Sequence, residues 1–335
     1  MKISSKYSPK GAQCYEQGVQ PLAPPKILIT DACHALLPEG LSAAGYEVHY
    51  RPDISYADTL DCIGEYAGIV INSKIFVHRD FLDRASKLRF VARLGSGLEI
   101  IDQPYAQEKG VAILNSPDGN CDAVAEQAMA MLLALLTNLR RADSEVRQFT
   151  WRREENRGTE LMHKTVGIVG FGYTGSAFAR RLQGFGCRVL AYDKYKTDYA
   201  ADFPHVAECA DMQPLFDECD IVSLHLPLTA ETTHLANAEW IAKFKKNILL
   251  LNTARGQIIP TADLVEALHS GKIRAAGIDV FENEKPQTFS SDEKLLYSQL
   301  YANSHVILTP HIAGWTHESK HRLAHILLQK ILALP

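Results

Sequence analysis

The sequence predicts an α/β protein with two doubly wound domains, each built on a mostly parallel sheet. Short runs rich in Ile, Val and Leu alternate with helical patterns from Lys26 to Leu308, which is typical of a parallel sheet covered by helices on both faces. The alternation occurs twice. The 335 residues also exceed what one hydrophobic core usually holds. Both observations favour two domains over one.

The predicted strands form two sets along the chain. The first set covers residues 26–30, 47–50, 68–71, 90–93 and 112–114. The second set covers residues 166–169, 188–192, 221–224, 248–252, 275–280 and 306–308. A long core helix over 123–137 separates the two sets, and a last helix over 318–332 is expected to return to the first domain.

A glycine-rich turn is the strongest single motif of the chain. Gly170, Gly172 and Gly175 follow a buried strand and lead into a helix over 176–182, with the G-x-G-x-x-G spacing. The first glycine permits a tight turn, the second a close approach to a pyrophosphate, and the third close packing of helix on strand. Asp193 ends the next strand, 23 residues after Gly170, where an acid binds ribose hydroxyls and repels a 2′-phosphate. The motif therefore predicts a Rossmann-like site for NAD, with a capping role as the alternative for Asp193.

The position of this motif assigns the two domains. Only the second set of strands carries it, so residues 118–309 are expected to form the NAD-binding domain. Residues 26–117 together with 310–335 are expected to form a discontinuous substrate domain, with the active site in the cleft between the two. Residues 1–25 are polar, close with two prolines, and are expected to be a flexible leader.

Three residues that could perform chemistry follow strands of the second set. In an open parallel sheet, reactive groups lie just beyond the carboxyl ends of the strands. Arg255 could bind a substrate carboxylate, His311 could move a hydroxyl proton, and Glu284 could orient the histidine. The alternatives are a surface arginine, a structural histidine and a solvated acid, and Glu282 competes with Glu284. His225 also follows a strand and is expected to line the adenine side.

These residues lie in motifs that resemble the D-isomer specific 2-hydroxyacid dehydrogenase family. The likeness runs from about Lys26 onward. It rests on the glycine turn with Asp193, on Leu224-His225-Leu226-Pro227-Leu228-Thr229, on Asn252-Thr253-Ala254-Arg255-Gly256, on Gly277-Ile278-Asp279-Val280-Phe281 with Glu284, and on Thr309-Pro310-His311-Ile312-Ala313-Gly314 with Thr316.

The resemblance implies specific roles for residues of this chain. Arg255, Glu284 and His311 are the implied catalytic residues, and Asp279 is placed near the nicotinamide amide. The implied NAD contacts are Gly170, Gly172, Tyr173, Thr174, Gly175, Asp193, His225, Pro227, Thr253, Ala254, Arg255, Asp279, His311, Ala313 and Gly314. The implied substrate contacts are Arg93, Gly95, Ser96, Gly97 and Arg255, and Lys74, where the chain departs from the family, can pair with a phosphate.

Among family members the chain most resembles 3-phosphoglycerate dehydrogenases that lack a C-terminal regulatory domain. Arg93 precedes the substrate loop as in those enzymes. Three positions depart from the pattern. Residues 98–102 replace the usual V-D-N-I-D, Asn72 stands where an arginine is common, with Lys74 nearby, and Lys285 separates Glu284 from the proline that normally follows.

The expected function is hydride transfer between NAD and a small D-2-hydroxy acid or 2-oxo acid. The substrate could be 3-phosphoglycerate, and a hydroxypyruvate, glyoxylate or D-lactate type reductase is the alternative. A non-enzymatic NADH-sensing protein, similar to corepressors of this fold, is an alternative of another class.

Composition and charge restrict the partners. The chain is 46% hydrophobic and 22% charged with a net charge of −4, so neither nucleic acid nor a membrane is an expected partner. The seven cysteines include no C-x-x-C pair, which argues against a disulfide framework and a metal site and favours the cytoplasm. The resemblance implies a homodimer built around the helix over 123–137 and the arm that follows, with Trp151 near a neighbour's site.

Overall fold

The structure, a computed structural model that describes residues 23–335, contains two separate sheets. Residues 1–22 of the expected leader, including Cys14, lie outside the described residues. Every strand pair in both sheets is parallel. The predicted α/β fold with two doubly wound parallel sheets is therefore confirmed.

The N-terminal sheet has five strands in the order β2-β1-β3-β4-β5. Its strands are β1 (Lys26–Ile29), β2 (Glu47–Tyr50), β3 (Gly68–Ile71), β4 (Phe90–Arg93) and β5 (Ala112–Asn115). The intervening helices are α1 (Leu36–Ala43), α2 (Tyr56–Cys62), α3 (Arg79–Arg84) and α4 (Gln103–Glu108). Alternate residues of β1 enter cores on opposite faces, since Leu28 packs on one side and Ile27 and Ile29 on the other.

Two consecutive helices lead from the first sheet to the second. They are α5 (Cys121–Leu136) and α6 (Leu139–Arg147). Helix α5 is rich in Ala, Met and Leu and has buried residues around most of its circumference. No residue of α6 is buried, and Asn138 between the helices adopts a left-handed conformation with φ of 53°.

The C-terminal sheet has seven strands in the order β12-β11-β10-β9-β6-β7-β8. Its strands are β6 (Thr165–Val169), β7 (Arg188–Tyr192), β8 (Val206–Cys209), β9 (Ile221–Leu224), β10 (Ile248–Asn252), β11 (Ile273–Ile278) and β12 (Val306–Leu308). The remaining helices are α7 (Tyr173–Leu182), α8 (Gln213–Glu218), α9 (Ala238–Ala242), α10 (Thr261–His269), α11 (Ser291–Ala302) and α12 (His317–Leu332). Helix α5 packs on α7 and on β10 to β12, whereas α12 packs on α1, β4 and β5 of the other sheet.

Each sheet reverses its strand order once, and both reversals open toward one cleft. The order changes direction between β1 and β3 in the N-terminal sheet and between β6 and β9 in the C-terminal sheet. Ligands of doubly wound sheets bind outside the carboxyl ends of the strands at such points. Residues that follow β1, β3, β6 and β9 all line the same cavity. A cavity therefore lies where the sequence predicts the site, between the two sheets.

The elements differ from the prediction at a few places. Strand β8 was not predicted, because Ala207 and Glu208 are exposed and the edge strand lacks a continuous apolar run. Strand β11 spans Ile273–Ile278 instead of 275–280, and α7 begins at Tyr173 instead of 176. Within residues 23–335, no helix combines the length and apolarity needed to cross a bilayer.

Candidate active site

A cavity of about 950 Å³ lies between the two sheets and is called the cleft below. Its walls come from residues after β1, β3 and β4, from the turns that follow β6, β9, β10, β11 and β12, and from the start of α12. Most of the expected site residues line it: Lys74, Arg93, Gly95, Ser96, Gly97, Gly172, Tyr173, Thr174, His225, Pro227, Thr253, Ala254, Arg255, Asp279, His311, Ala313 and Gly314. Gly170, Gly175, Asp193 and Glu284 do not line it directly.

The glycine turn leaves the N-terminus of α7 open to a ligand. Gly170 has φ of 90°, and a Cβ there would lie 2.5 Å from the carbonyl oxygen of His225. A Cβ on Gly175 would lie 2.1 Å from the carbonyl oxygen of Gly170, so helix and turn pack too closely for a side chain. Gly172 has open space within 4 Å and caps α7 without a side-chain hydrogen bond. The first N–H groups of α7 are therefore free for phosphate oxygens, as a dinucleotide requires.

Asp193 supports this turn. Its Oδ2 accepts a hydrogen bond from the backbone N–H of Phe171 at 2.9 Å, and its Oδ1 accepts one from the N–H of Tyr195 at 3.1 Å. The neighbouring Lys194 forms an ion pair with Glu231 at 2.8 Å. The capping alternative from the sequence is thus present in the structure, and a contact of Asp193 with ribose stays a prediction.

Two further residues on this side of the cleft suit a cofactor. The buried hydroxyl of Thr253 has no hydrogen-bond partner among the described residues, so it can bond to a ligand. His225 shares a hydrogen bond of 2.8 Å between its Nε2 and the hydroxyl of Ser223, and burial lowers its pKa to about 3. His225 is therefore a neutral lining residue and does not exchange protons near neutral pH.

Asp279 holds the loop that carries His311. The fully buried carboxylate accepts the hydroxyl of Thr309 and the backbone N–H groups of Ile312 and Ala313, both at 2.9 Å. The carbonyl oxygen of Asp279 also accepts the N–H of His311 at 2.7 Å. His311 itself adopts a left-handed conformation with φ of 55°, which is uncommon for a non-glycine residue. The loop thus has one defined conformation that presents the imidazole.

His311 and Glu284 form a hydrogen-bonded pair. The Nδ1 of His311 lies 2.9 Å from Oε2 of Glu284, and both side chains are partly exposed. Burial raises the pKa of Glu284, but the hydrogen bond and charge of His311 outweigh it, and that pKa lies below its ordinary value. The competing Glu282 instead accepts the N–H of Thr261 at 2.6 Å. Glu284 therefore stays ionised and holds a proton on Nδ1, which leaves Nε2 for exchange with a substrate.

Arg255 reaches from the C-terminal sheet toward the loop after β4. Its Nε donates to Oε1 of Glu99 at 2.8 Å and its Nη1 donates to the carbonyl of Ala254 at 2.7 Å. Oε2 of Glu99 lies 3.4 Å from Nη1 of Arg93. The sequence places Glu99 at the end of the loop that faces the crevice but does not predict its arginine partners. The one signal was the departure from the family pattern at 98–102, because an ion pair across 156 residues leaves no local spacing.

Several of the expected substrate-binding side chains already form hydrogen bonds within the protein. Ser96 contacts Asn120, since its hydroxyl lies 3.2 Å from Oδ1. Lys74 donates its ammonium to the carbonyl of Pro52, and Arg93 donates its Nε to the carbonyl of Asn72 at 3.1 Å. Lys74 and Arg93 are therefore already bonded to backbone oxygens. Sequence reasoning also missed Lys320, which lines the cleft from α12, where its position on an amphipathic helix gave no signal.

Comparisons with known proteins agree with this arrangement. Residues 129–313 match the family model for the D-isomer specific 2-hydroxyacid dehydrogenase, NAD binding domain. The chain is 38% identical over 274 residues to a hydroxypyruvate reductase of Thermotoga maritima, covering 82% of this chain and 86% of the relative. It is 35% identical over 306 residues to a D-3-phosphoglycerate dehydrogenase of Methanocaldococcus jannaschii, covering 91% of this chain and 56% of the relative. A D-lactate dehydrogenase from Aquifex aeolicus, solved with NAD and lactic acid, superposes with a TM-score of 0.81 at 27% identity, covering 92% of this chain and 94% of that one.

Proposed function

Because this chain belongs to the D-isomer specific 2-hydroxyacid dehydrogenase family, we propose that the residues of its cleft reduce a small 2-oxo acid, or oxidise the matching D-2-hydroxy acid. Family membership makes the chain an NAD-dependent oxidoreductase of this class. The chain spans about half the length of the D-3-phosphoglycerate dehydrogenases that it matches, and 86% of the hydroxypyruvate reductase. The individual substrate and the role of each residue are therefore proposed from the geometry of the cleft.

The observation that carries the proposal is the pair of His311 and Glu284 in the same cleft as Arg255. The ionised Glu284 fixes the tautomer of His311 with the proton on Nδ1. In oxidation, neutral His311 takes the hydroxyl proton at Nε2, and in reduction the imidazolium returns it. The negative charge of Glu284 stabilises the imidazolium in both directions.

Arg255 is the proposed anchor of the substrate carboxylate. Its Nε and Nη1 are bonded to Glu99 and to Ala254, so Nη2 remains available on the side of Gly97. Backbone N–H groups of Ser96 and Gly97 are the proposed second set of donors, since their loop lines the cleft beside Arg255. These contacts would place the 2-carbon of the acid in one orientation before the reaction.

NAD fits the residues on the other wall, and it supplies the hydride acceptor or donor of the reaction. We propose that the first-turn N–H groups of α7, beside Gly172, bind the pyrophosphate of NAD. The unpartnered hydroxyl of Thr253 is proposed to form a hydrogen bond with the dinucleotide. Asp193 is the proposed ribose contact and Asp279 the proposed neighbour of the nicotinamide.

The assignment of the two domains is part of the proposal. The N-terminal sheet carries the loop of Gly95 to Gly97, and α12 packs on it, which supports residues 26–117 and 310–335 as the substrate domain. The C-terminal sheet carries the glycine turn, which supports residues 118–309 as the NAD-binding domain. We infer hinges near residues 116–117 and 309–310, where the chain passes between the two, so that closing would exclude water from the cleft.

The side chains near β3 favour an unphosphorylated substrate such as hydroxypyruvate or glyoxylate over 3-phosphoglycerate. Asn72 stands in place of an arginine at the end of this strand, and the ammonium of Lys74 is bonded to the carbonyl of Pro52. A phosphate bound here would have to take Lys74 from that carbonyl, and a lysine offers a point charge without the fork of an arginine.

The chain is further proposed to form a homodimer. Apolar side chains are exposed along α6 and the arm that follows, including Leu139, Val146, Phe149 and Trp151. Phe149 is 100% and Trp151 is 78% exposed, and a cluster of this kind marks an interaction site more often than a free surface. Light scattering should give the mass of a dimer at micromolar concentration, and a monomer would refute the proposal.

The proposed compartment is the cytoplasm, because the cysteines suit a reducing environment. Six cysteines lie in residues 23–335 and all of them are free thiols. Burial raises the pKa of Cys219 to about 12, so its thiolate is scarce at neutral pH. Thiol titration after denaturation of protein isolated without reductant should find all seven cysteines reduced, and a disulfide would contradict the proposal.

A panel of 2-oxo acids with NADH tests the function. Hydroxypyruvate, glyoxylate, pyruvate and 3-phosphohydroxypyruvate are compared by the loss of NADH absorbance. Turnover of an unphosphorylated acid, with kcat/KM above that for the phosphorylated one, is the expected result. Binding of NADH without consumption of any acid would instead favour the alternative of an NADH-sensing protein.

A further inference from the structure

We propose that Glu99 determines which charge class of substrate the cleft accepts, favouring a 2-oxo acid with one carboxylate over one that also carries a phosphate. This rests on the proposed function, and it assigns to Glu99 a specificity-determining role that the sequence motifs do not contain.

The carboxylate of Glu99 bridges two arginines from different sheets. Oε1 accepts a hydrogen bond from Nε of Arg255 at 2.8 Å, and Oε2 lies 3.4 Å from Nη1 of Arg93. The side chains of these three residues are only 13–25% exposed. Glu99 therefore takes the position between two guanidinium groups that an anionic part of a substrate would otherwise occupy.

Glu99 is the acid of the cleft that competes most directly with an anionic ligand for the arginines. Lys74, Arg93, Arg255 and Lys320 line the cleft as cations, and Asp31, Glu99 and Asp279 line it as acids. The carboxylates of the two aspartates accept backbone N–H groups of Asn72 and of residues 312–313, with hydroxyls of the neighbouring threonines. Among these acids, Glu99 is the one bonded directly to arginines of the cleft.

The protonation states are consistent with this role. Burial raises the pKa of Glu99, but the charges of Arg255 and Arg93 and hydrogen bonds from Arg255 and its own backbone outweigh it and hold the pKa below its ordinary value. Burial lowers the pKa of Arg93, and Arg255 adds to this, whereas Glu99 opposes both. Glu99 is therefore ionised and offsets the repulsion between the two guanidinium groups.

An ionised Glu99 affects the two substrate classes differently. A single carboxylate can bind Nη2 of Arg255 and the backbone N–H groups of residues 96–97 while Glu99 stays in place. A phosphate that reaches Arg93 must approach the carboxylate of Glu99, and the repulsion between them is strong in a cleft of low exposure. Removal of the charge at position 99 should therefore favour the phosphorylated acid.

The test compares hydroxypyruvate with 3-phosphohydroxypyruvate, two acids that differ by the phosphate. The variant Glu99→Gln keeps the size of the side chain and removes its charge, while Glu99→Asp keeps the charge. Glu65→Gln is the matched control, because Glu65 also pairs with a cation of the N-terminal sheet, Lys26 at 3.4 Å, outside the cleft.

We expect Glu99→Gln to shift the ratio of kcat/KM values toward the phosphorylated acid by about 10-fold or more, the change that one charge contact contributes at a partly buried site. Glu65→Gln should leave the ratio unchanged, and Glu99→Asp should stay within a few-fold of wild type. An unchanged ratio in Glu99→Gln overturns the inference. If Glu99→Gln does not fold, Glu99→Met, which is neutral and of similar length, replaces it with the same expected shift.

Failure of the proposed function would be seen separately. If the wild type reduces neither acid, the proposed function fails, and binding of inorganic phosphate to the protein then tests the inference by itself. Thermal shift should give an at least 10-fold lower apparent Kd for phosphate in Glu99→Gln than in wild type. Equal stabilisation of the two proteins by phosphate overturns the inference.

Discussion

The glycine turn offers a pair of matched substitutions whose effects should separate cofactor binding from stability. At Gly172, a Cβ would meet nothing within 4 Å, and φ is −82°, which alanine adopts without strain. At Gly175, a Cβ would lie 2.1 Å from the carbonyl oxygen of Gly170. The same added methyl group therefore enters open space in one case and the packed backbone in the other.

The magnitudes follow from these two environments. Gly172→Ala should leave the free energy of unfolding unchanged or raise it by about 0.4–1 kcal/mol, because alanine restricts the unfolded chain. It should weaken NADH binding by roughly 10- to 100-fold, since the methyl group displaces a phosphate from the N–H groups of α7 and a hydrogen bond to a charged group is worth about 1.5–3 kcal/mol. Gly175→Ala should lower the free energy of unfolding by about 1–3 kcal/mol, as overpacking usually does.

Two assays measure these quantities. Titration of NADH fluorescence gives Kd for wild type and Gly172→Ala, and chemical denaturation gives the free energy of unfolding for both variants. Wild-type affinity for NADH in Gly172→Ala would refute the reasoning, because no ligand would then lie beside Gly172. A Gly175→Ala variant as stable as wild type would refute the packing argument.

Three further substitutions test the rest of the site. Glu284→Gln removes the anion that holds a proton on Nδ1 of His311, so kcat for the oxo acid should fall by roughly 10- to 100-fold, because a hydrogen bond to a charged group is worth about 1.5–3 kcal/mol. An unchanged kcat would exclude the pair from the mechanism. Asp193→Ala should lower the ratio of kcat/KM with NADH to kcat/KM with NADPH by roughly 10-fold. It should also destabilise the protein by about 1 kcal/mol, because the N–H of Phe171 loses its acceptor. A constant cofactor ratio would leave Asp193 only a capping role. Arg255→Lys should raise KM for the oxo acid and lower kcat/KM by about 100-fold, since a lysine cannot replace the fork of donors; kinetics equal to wild type would remove Arg255 from substrate binding.

The sequence predicted most of the fold because the buried strands are locally distinct. Strand β6 is buried along its whole length and β10 likewise, so each appears in the sequence as a continuous apolar run. Strand β8 was missed because it is an edge strand whose middle residues face solvent. The start of α7 was placed too late, since the helix begins inside the glycine motif without a capping side chain that could mark it.

The candidate site was predictable as far as it consists of groups at strand ends. Arg255, His311 and Glu284 each follow a strand of the C-terminal sheet, and the structure brings all three to one cleft or its edge. The choice of Glu284 over Glu282 depended on spacing, and the hydrogen bonds agree with it. Contacts between residues of the two sheets could not be predicted, because nothing in the local sequence of Glu99 shows that the fold brings it to Arg255.

Asp279 illustrates a related limit of the sequence. The resemblance implies a position near the nicotinamide, which stays a prediction, but it does not show that the carboxylate is fully buried and accepts donors from the loop of His311. The residue type and its position at a strand end were informative. Which partner an acid takes depends on the geometry of the neighbouring loop, here a loop whose histidine has a positive φ.

The central claim is that His311 exchanges the proton of the reaction and has no essential part in binding NAD. The most direct test is the variant His311→Gln, which removes the imidazole that pairs with Glu284. Single-turnover oxidation of NADH by the best 2-oxo acid and titration with NADH are measured on the same preparation. We predict that turnover falls by at least 1,000-fold, at the upper part of the range of general acid–base catalysis, while Kd for NADH changes by less than about 3-fold. Near-normal turnover in His311→Gln would contradict the account.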